Sequence, residues 1–191
     1  MSSLFFNEDH EGIREMAKDF AEKTLAPIAG EIDKTEAFPM DVVKTMADMG
    51  FLGLKIPEEY GGLGLDMRSY ICVMEEIAKK CATATIFISS ANSLSTAPIV
   101  ISGTPEQKEK YLPGVAAGES LIAFGLTEPN AGSDAASMTT RAVEDGDSYI
   151  LNGRKCFITM APIADQCIVY AKTDPEKGAK GITCFMVDMN L

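Results

Sequence analysis

The densest run of residues able to do chemistry is Phe124-Gly125-Leu126-Thr127-Glu128-Pro129-Asn130-Ala131-Gly132-Ser133-Asp134. Its residue types predict a short strand, a turn fixed by Pro129, and then a loop of small residues rich in backbone N–H groups and hydroxyls. Such a loop approaches a phosphate or a flat polar ring closely, because no bulky side chain intervenes. The same composition suits an elaborate turn equally well. The better-known reactive constellations are missing. A single histidine, His10, lies in an acidic first turn where a surface or capping role is expected, which leaves no base for Ser-His-Asp or Cys-His chemistry. Gly62-Leu63-Gly64 lacks the third glycine of a dinucleotide fingerprint and follows no strand, and no G-K-[ST], G-x-S-x-G or H-E-x-x-H occurs. With one histidine and no C-x-x-C pair, a tightly held catalytic metal is not expected.

Composition narrows the function further. The 191 residues are 46% hydrophobic and 24% charged, which is ordinary for a globular chain. Seventeen basic against 28 acidic side chains give a net charge of −11, which repels nucleic-acid backbones and anionic lipid, so neither nucleic acid nor a membrane is an expected partner. The cysteines Cys72, Cys81, Cys156, Cys167 and Cys184 are odd in number and sit in apolar or strand-forming surroundings, so they are expected to be reduced thiols of a cytoplasmic protein. The opening MSSLFFNEDHEG has neither a basic nor a long apolar signal-like stretch, and no apolar run is expected to span a membrane.

The elements that must carry these residues fall into two classes. Ile13, Met16, Ala17, Phe20, Ala21 and Leu25 recur at helical spacing after Asn7 as N-cap, and Val42, Val43, Met46 and Met49 form a second stripe that Gly50 ends. Further helices are expected from Asp66, over about 83–101, and from the compact start Thr104-Pro105-Glu106-Gln107. After Ser120 the period changes. Asp145-Gly146 and Asn152-Gly153 predict hairpins between strand-like runs at 138–143, 148–151 and 154–159, with two more strands near 167–172 and 182–188. The expected fold is therefore α+β: an all-α domain over 1–120, then an incomplete antiparallel β-barrel over 121–191 whose few strands leave its edges uncovered.

The run Gly125–Ser137 resembles the first signature of the acyl-CoA dehydrogenase family. So, in the same order along the chain, do Ile56-Pro57-Glu58-Glu59-Tyr60-Gly61-Gly62, Gly103-Thr104-Pro105-Glu106-Gln107-Lys108, Leu151-Asn152-Gly153-Arg154-Lys155 and Phe157-Ile158-Thr159. The resemblance implies a helical domain, a β-barrel middle domain and a further C-terminal helical domain that this sequence does not contain. It implies FAD as cofactor, an acyl-CoA thioester as substrate, electron-transferring flavoprotein as electron acceptor, and a homotetramer. By resemblance, Leu126 and Thr127 hydrogen-bond the pyrimidine end of the flavin and Phe124 lies beside the ring. Phe157 packs on the isoalloxazine, Ile158 follows it, and the Thr159 hydroxyl is near N5. Ser133 contacts the CoA part of the substrate and the FAD pyrophosphate. Read without the resemblance, Thr127 and Thr159 are equally ordinary strand residues, and Phe157 a core aromatic.

The implied reaction is α,β-dehydrogenation of a short-chain acyl-CoA to the trans-2-enoyl thioester. An acyl-CoA oxidase, a flavin monooxygenase on the same fold, and a non-catalytic acyl-CoA-binding half-fold are the alternatives. The family's base is a glutamate of its C-terminal domain, so Glu128 is expected to serve the turn, and no catalytic residue is assigned. After Thr159 the sequence departs from the common Asn-Gly with Met160-Ala161-Pro162. The 191 residues alone are accordingly expected to be inactive. Turnover with an artificial electron acceptor checks this: no product is expected, and product from this chain alone would contradict it.

Overall fold

The computed structural model describes residues 5–189. The first four residues and the last two, on which the expectations for the amino-terminal stretch and the end of the β-domain partly rest, lie outside the described residues. The chain divides into two compact units, 1–120 and 121–191.

Among the described residues the first unit contains seven α-helices: α1 (Glu8–Phe20), α2 (Ala29–Thr35), α3 (Met40–Asp48), α4 (Met67–Ala78), α5 (Ala82–Ser89), α6 (Ala97–Ser102) and α7 (Pro105–Ala116). Local chemistry sets their starts. Asn7 accepts from the His10 N–H and donates its own N–H to His10 Nδ1, closing a capping box at α1. Because Nδ1 accepts, Nε2 carries the proton and donates to the Asp66 carboxylate at 3.2 Å. Asp66 in turn caps α4 through the Ser69 N–H. His10 thus caps as expected, but it is buried rather than at the surface. Thr104 and Gln107 close a second reciprocal box at α7.

The apolar stripes point inward: Ala17, Phe20, Val42, Val43, Met46, Val73 and Ile77 are buried, and Phe20 meets Phe51 edge to face. Met16, expected in the first stripe, is instead partly exposed, at 38%. Ala82–Ser102, 21 residues long, is, against the sequence expectation, long and apolar enough to cross a membrane, with a mean hydropathy of 1.4 over an 18-residue stretch of it. Half of it is buried within the protein, the placement of a core helix. Its middle, Ser90–Leu94, is a π-helical turn. There Asn92 is buried, accepting from the Lys55 N–H and donating to the carbonyls of Phe51 and Ile88. Ser90 and Ser95 bond each other. Ser90 and Asn92 are therefore engaged in internal bonds.

The second unit is built on β1 (Ile122–Gly125), β2 (Arg141–Asp145), β3 (Ser148–Asn152), β4 (Gln166–Lys172) and β5 (Ile182–Asp188). The sheet is open, as expected, but it is mixed rather than purely antiparallel. β4 pairs antiparallel with β5 along its whole length, from Gln166↔Asp188 to Lys172↔Ile182. Its other edge takes β1 in parallel, Ile122↔Gln166 to Gly125↔Val169, and then touches β2 at Arg141↔Lys172, also in parallel. The reason is the long connection after β1, which gives enough chain for a crossover that a tight hairpin could not provide. The hairpin at Asp145-Gly146 forms, with Gly146 at φ 61° and Asp145 opposite Ser148.

The run 154–159 is not a strand, and Asn152-Gly153 is not a hairpin turn. A Cβ at Gly153 would fall on the Thr140 hydroxyl, so the chain passes close beneath Thr140 and leaves the sheet.

Replacing Asn92 by Ala strands one N–H and two carbonyls in the core of the first unit. A loss of about 3 kcal/mol is expected in urea unfolding.

Candidate functional site around Glu128 and Lys155

The signature segment begins as β1, a mostly buried edge strand paired with β4, and ends in a tight turn. Glu128 and Ala131 exchange both backbone hydrogen bonds at 3.1 Å, with Pro129 and Asn130 between them. The turn role expected for Glu128 is there in its backbone; its side chain does something the sequence did not reveal. That carboxylate is almost wholly buried and accepts from four donors on two other segments. The Thr139 N–H lies at 2.6 Å, the Thr139 hydroxyl at 2.8 Å, the Thr140 N–H at 2.9 Å and the Lys155 ammonium at 2.9 Å. Burial alone would raise its pKa, but the Thr140, Thr139 and Lys155 bonds outweigh it and hold the carboxyl well below the usual glutamate range.

Lys155 is equally committed. Besides Glu128, its ammonium donates to the Leu126 carbonyl at 2.9 Å. One residue on, the Cys156 N–H donates to the Thr127 carbonyl, also at 2.9 Å. Thus 126–128, 138–140 and 155–156 are tied at one point.

Beyond that point the chain alternates. Ile158, half-buried, packs inward on the cluster of Ala123, Ala164 and Cys167. Phe157, on one side of it, is 92% exposed, and Thr159, on the other, is exposed as well. Phe157 and Met160 both have left-handed backbones, φ 56° and 63°. A non-glycine residue held there costs about 1–2 kcal/mol, and an exposed Phe gains no burial to offset it. Strain combined with an unburied aromatic ring marks a loop shaped for something other than its own stability.

The structure therefore brings Leu126, Thr127, Phe157, Ile158 and Thr159 into one neighbourhood. Ser133 lies past the turn, exposed, just before a short turn in which Ser137 bonds Asp134. Phe124 stands apart. Its ring meets Tyr170 edge to face at 5.5 Å, whereas its strand neighbour Ala123 carries the Ile158 cluster. Side chains alternate across a strand, so the Phe124 ring is on the opposite face of the sheet from Ile158. Only the Phe124 backbone remains to serve the site.

The donor set suits the electron-rich edge of a flat heterocycle. The carbonyls of Leu126 and Thr127 are both taken by internal donors, so the segment meets a ligand with donors, the Thr127 hydroxyl among them. Phe157 offers an uncovered ring of the kind that stacks on another. These residues fit a flavin. Sequence reasoning missed Lys155, Thr139 and Thr140 as the support. The available signal was thin: Glu128 between Thr127 and Pro129, and Lys155 between Arg154 and Cys156.

Residues 7–119 match the acyl-CoA dehydrogenase N-terminal domain and residues 123–191 the acyl-CoA dehydrogenase middle domain. The chain is 57% identical to the 3-(aryl)acrylate reductase of Clostridium sporogenes, over 97% of this chain and 49% of the relative. It is 49% identical to the caffeyl-CoA reductase-Etf complex subunit CarC of Acetobacterium woodii, over 97% of this chain and 49% of that one. Its structure is similar to that of butyryl-CoA dehydrogenase from Megasphaera elsdenii, with a TM-score of 0.91 and 40% identity, covering 97% of this chain and 50% of the other. The chain thus spans about half the length of the curated relatives it matches.

The depressed pKa of Glu128 fixes a sign for pH dependence. The stability it contributes is complete above the ordinary glutamate value of 4.5 and is lost as pH falls from there toward the folded-state value. Urea unfolding between pH 6 and pH 3 should show this loss in the parent, and a much flatter dependence in Glu128→Gln. At pH 6 that variant, with Lys155 left unpaired, should be less stable by about 3–5 kcal/mol.

Proposed function

Because the chain belongs to the acyl-CoA dehydrogenase family, a family of flavoprotein oxidoreductases, we propose that it carries the flavin-contacting loops of an FAD-dependent short-chain acyl-CoA dehydrogenase. The reaction is removal of the α-proton and the β-hydrogen of an acyl-CoA thioester to give the trans-2-enoyl-CoA. One observation carries the reading. The Cys156 N–H to Thr127 carbonyl bond sets the Thr127 segment beside an exposed Phe157 held at positive φ.

When bound, FAD supplies the hydride acceptor. The chain's own residues supply placement. Leu126 and Thr127 orient the pyrimidine edge by hydrogen bonding, and the Thr127 donor stabilises negative charge that gathers there on reduction. Phe157 covers one ring face and keeps water from it. Thr159, fixed by the inward packing of Ile158, holds its hydroxyl toward N5. Ser133, on the open loop past the turn, contacts the CoA part of the substrate or the FAD pyrophosphate. Glu128 removes no proton from substrate, because its oxygens are buried and taken by four donors.

Electron-transferring flavoprotein is the proposed redox partner, supported by a relative named as a subunit of an Etf complex. A homotetramer is the proposed assembly. The five free cysteines support a reducing, cytoplasmic setting.

A second reading has its own support. The 57% identical relative is a reductase of 3-(aryl)acrylates, and the Acetobacterium relative reduces caffeyl-CoA by its name. The same placement of thioester and flavin would serve the reverse reaction, addition of hydride at the β-carbon and a proton at the α-carbon of an arylacryloyl thioester.

Anaerobic mixing of the full-length FAD-loaded protein with butyryl-CoA tests the choice. Bleaching of the flavin with formation of the enoyl thioester is expected, slowed about tenfold or more in Thr159→Ala. Absence of bleaching, together with rapid reoxidation of the chemically reduced protein by cinnamoyl-CoA, would establish the reductive reading instead.

A further inference from the structure

We propose that Lys155, held by Glu128, is the positioning residue of the flavin site and sets both the place and the electrical character of the edge that Leu126 and Thr127 present. The inference rests on the flavin reading above and adds to it a residue that never touches the ring.

Three observations carry it. First, the Lys155 ammonium bonds Leu126 at its carbonyl oxygen, inside the segment that meets the ligand, and not at some remote support. Second, the pair is sealed from water: the Lys155 and Glu128 side chains are 10% and 3% exposed. A charge in such a place acts through a low dielectric and is felt more strongly than one at the surface. Third, Lys155 is adjacent to Cys156, whose N–H takes the next carbonyl, that of Thr127. Two successive carbonyls are thus turned toward the protein by two successive residues of the opposite loop.

The geometry has two consequences. It takes up two acceptors that would otherwise repel the electron-rich rim of a flavin. It also polarises the Leu126–Thr127 peptide, since the cation at its oxygen makes its N–H a stronger donor. Lys155 therefore stabilises negative charge on the ring through the backbone. A lysine that merely packed the fold would not do so. Glu128 holds the ammonium in place and is itself fixed by Thr139 and Thr140, so the support extends to the start of β2.

The test uses the full-length protein, stripped of flavin and titrated with FAD. Its three readouts are FAD affinity, the melting midpoint of the flavin-free protein, and the reduction potential of the bound flavin. Lys155→Met alone leaves a buried carboxylate unpaired and can fail to fold. The informative variant is therefore Lys155→Met combined with Glu128→Gln, which removes both charges. It is expected to melt near the parent, yet to bind FAD more weakly by roughly tenfold or more, the scale on which outer supports act at other sites. Its bound flavin is expected to have a more negative potential. Lys155→Arg, which keeps the charge, is expected to recover most of the affinity and the potential. A folded double variant that binds FAD within about twofold of the parent, at unchanged potential, would overturn the role of Lys155 while leaving the flavin reading intact. A parent protein that takes up no FAD would overturn the flavin reading itself.

Discussion

A carboxylate and an ammonium taken out of water each lose several kcal/mol of hydration, and they stay charged only where geometry returns it. Glu128 and Lys155 meet that condition through bonds that all lead to other segments. The carboxylate reaches Thr139 and Thr140, and the ammonium reaches the Leu126 carbonyl. Neither charge can move without stranding the other. Three stretches that are far apart in sequence are therefore fixed together, and the positions of Thr127, Phe157 and Thr159 follow from that one constraint.

What the constraint permits is a loop that works against its own stability. Ile158 is the anchor, packed on Ala123 and Cys167 beside β4. With it in place, Phe157 on one side and Thr159 on the other have nowhere to go but outward. Phe157 is held at positive φ with its ring uncovered, and Met160 repeats the backbone conformation three residues later. A glycine would relieve this strain. Here the strain is tolerated because the Lys155 and Cys156 bonds determine the loop from its start. Gly153 contributes by letting the chain pass Thr140 at a distance no side chain would allow.

How much of this could be read from the sequence depended on how local the cause was. Asn7, Asp66 and Thr104 each cap a helix through a residue three positions on, so those starts were visible, as was the hairpin at Asp145-Gly146. The stretch 154–159 was not. Its β-branched and aromatic residues suit a strand, but a contact between positions 27 residues apart, Lys155 to Glu128, captures it first. The parallel pairing of β1 with β4 was hidden for the same reason, being set by a connection of about forty residues rather than by a turn. The residues of the site were legible through family resemblance and through no physical pattern in the chain. That is why Phe124 was grouped with these residues, although strand alternation turns its ring to the face of the sheet opposite Ile158. It is also why Lys155 entered as part of a motif with no role attached. His10 was correctly taken for a cap, but its burial depends on Asp66, 56 residues away.

Hydrogen exchange of individual backbone amides in the native protein bears most directly on the central constraint. If the buried pair fixes the loops, the N–H groups of Thr140 and Cys156 exchange as slowly as those of β4, although the segment carrying Cys156 has no regular secondary structure. If they exchange at the rate of an open surface loop, the Glu128–Lys155 pair does not hold this region together, and the account built on it is wrong.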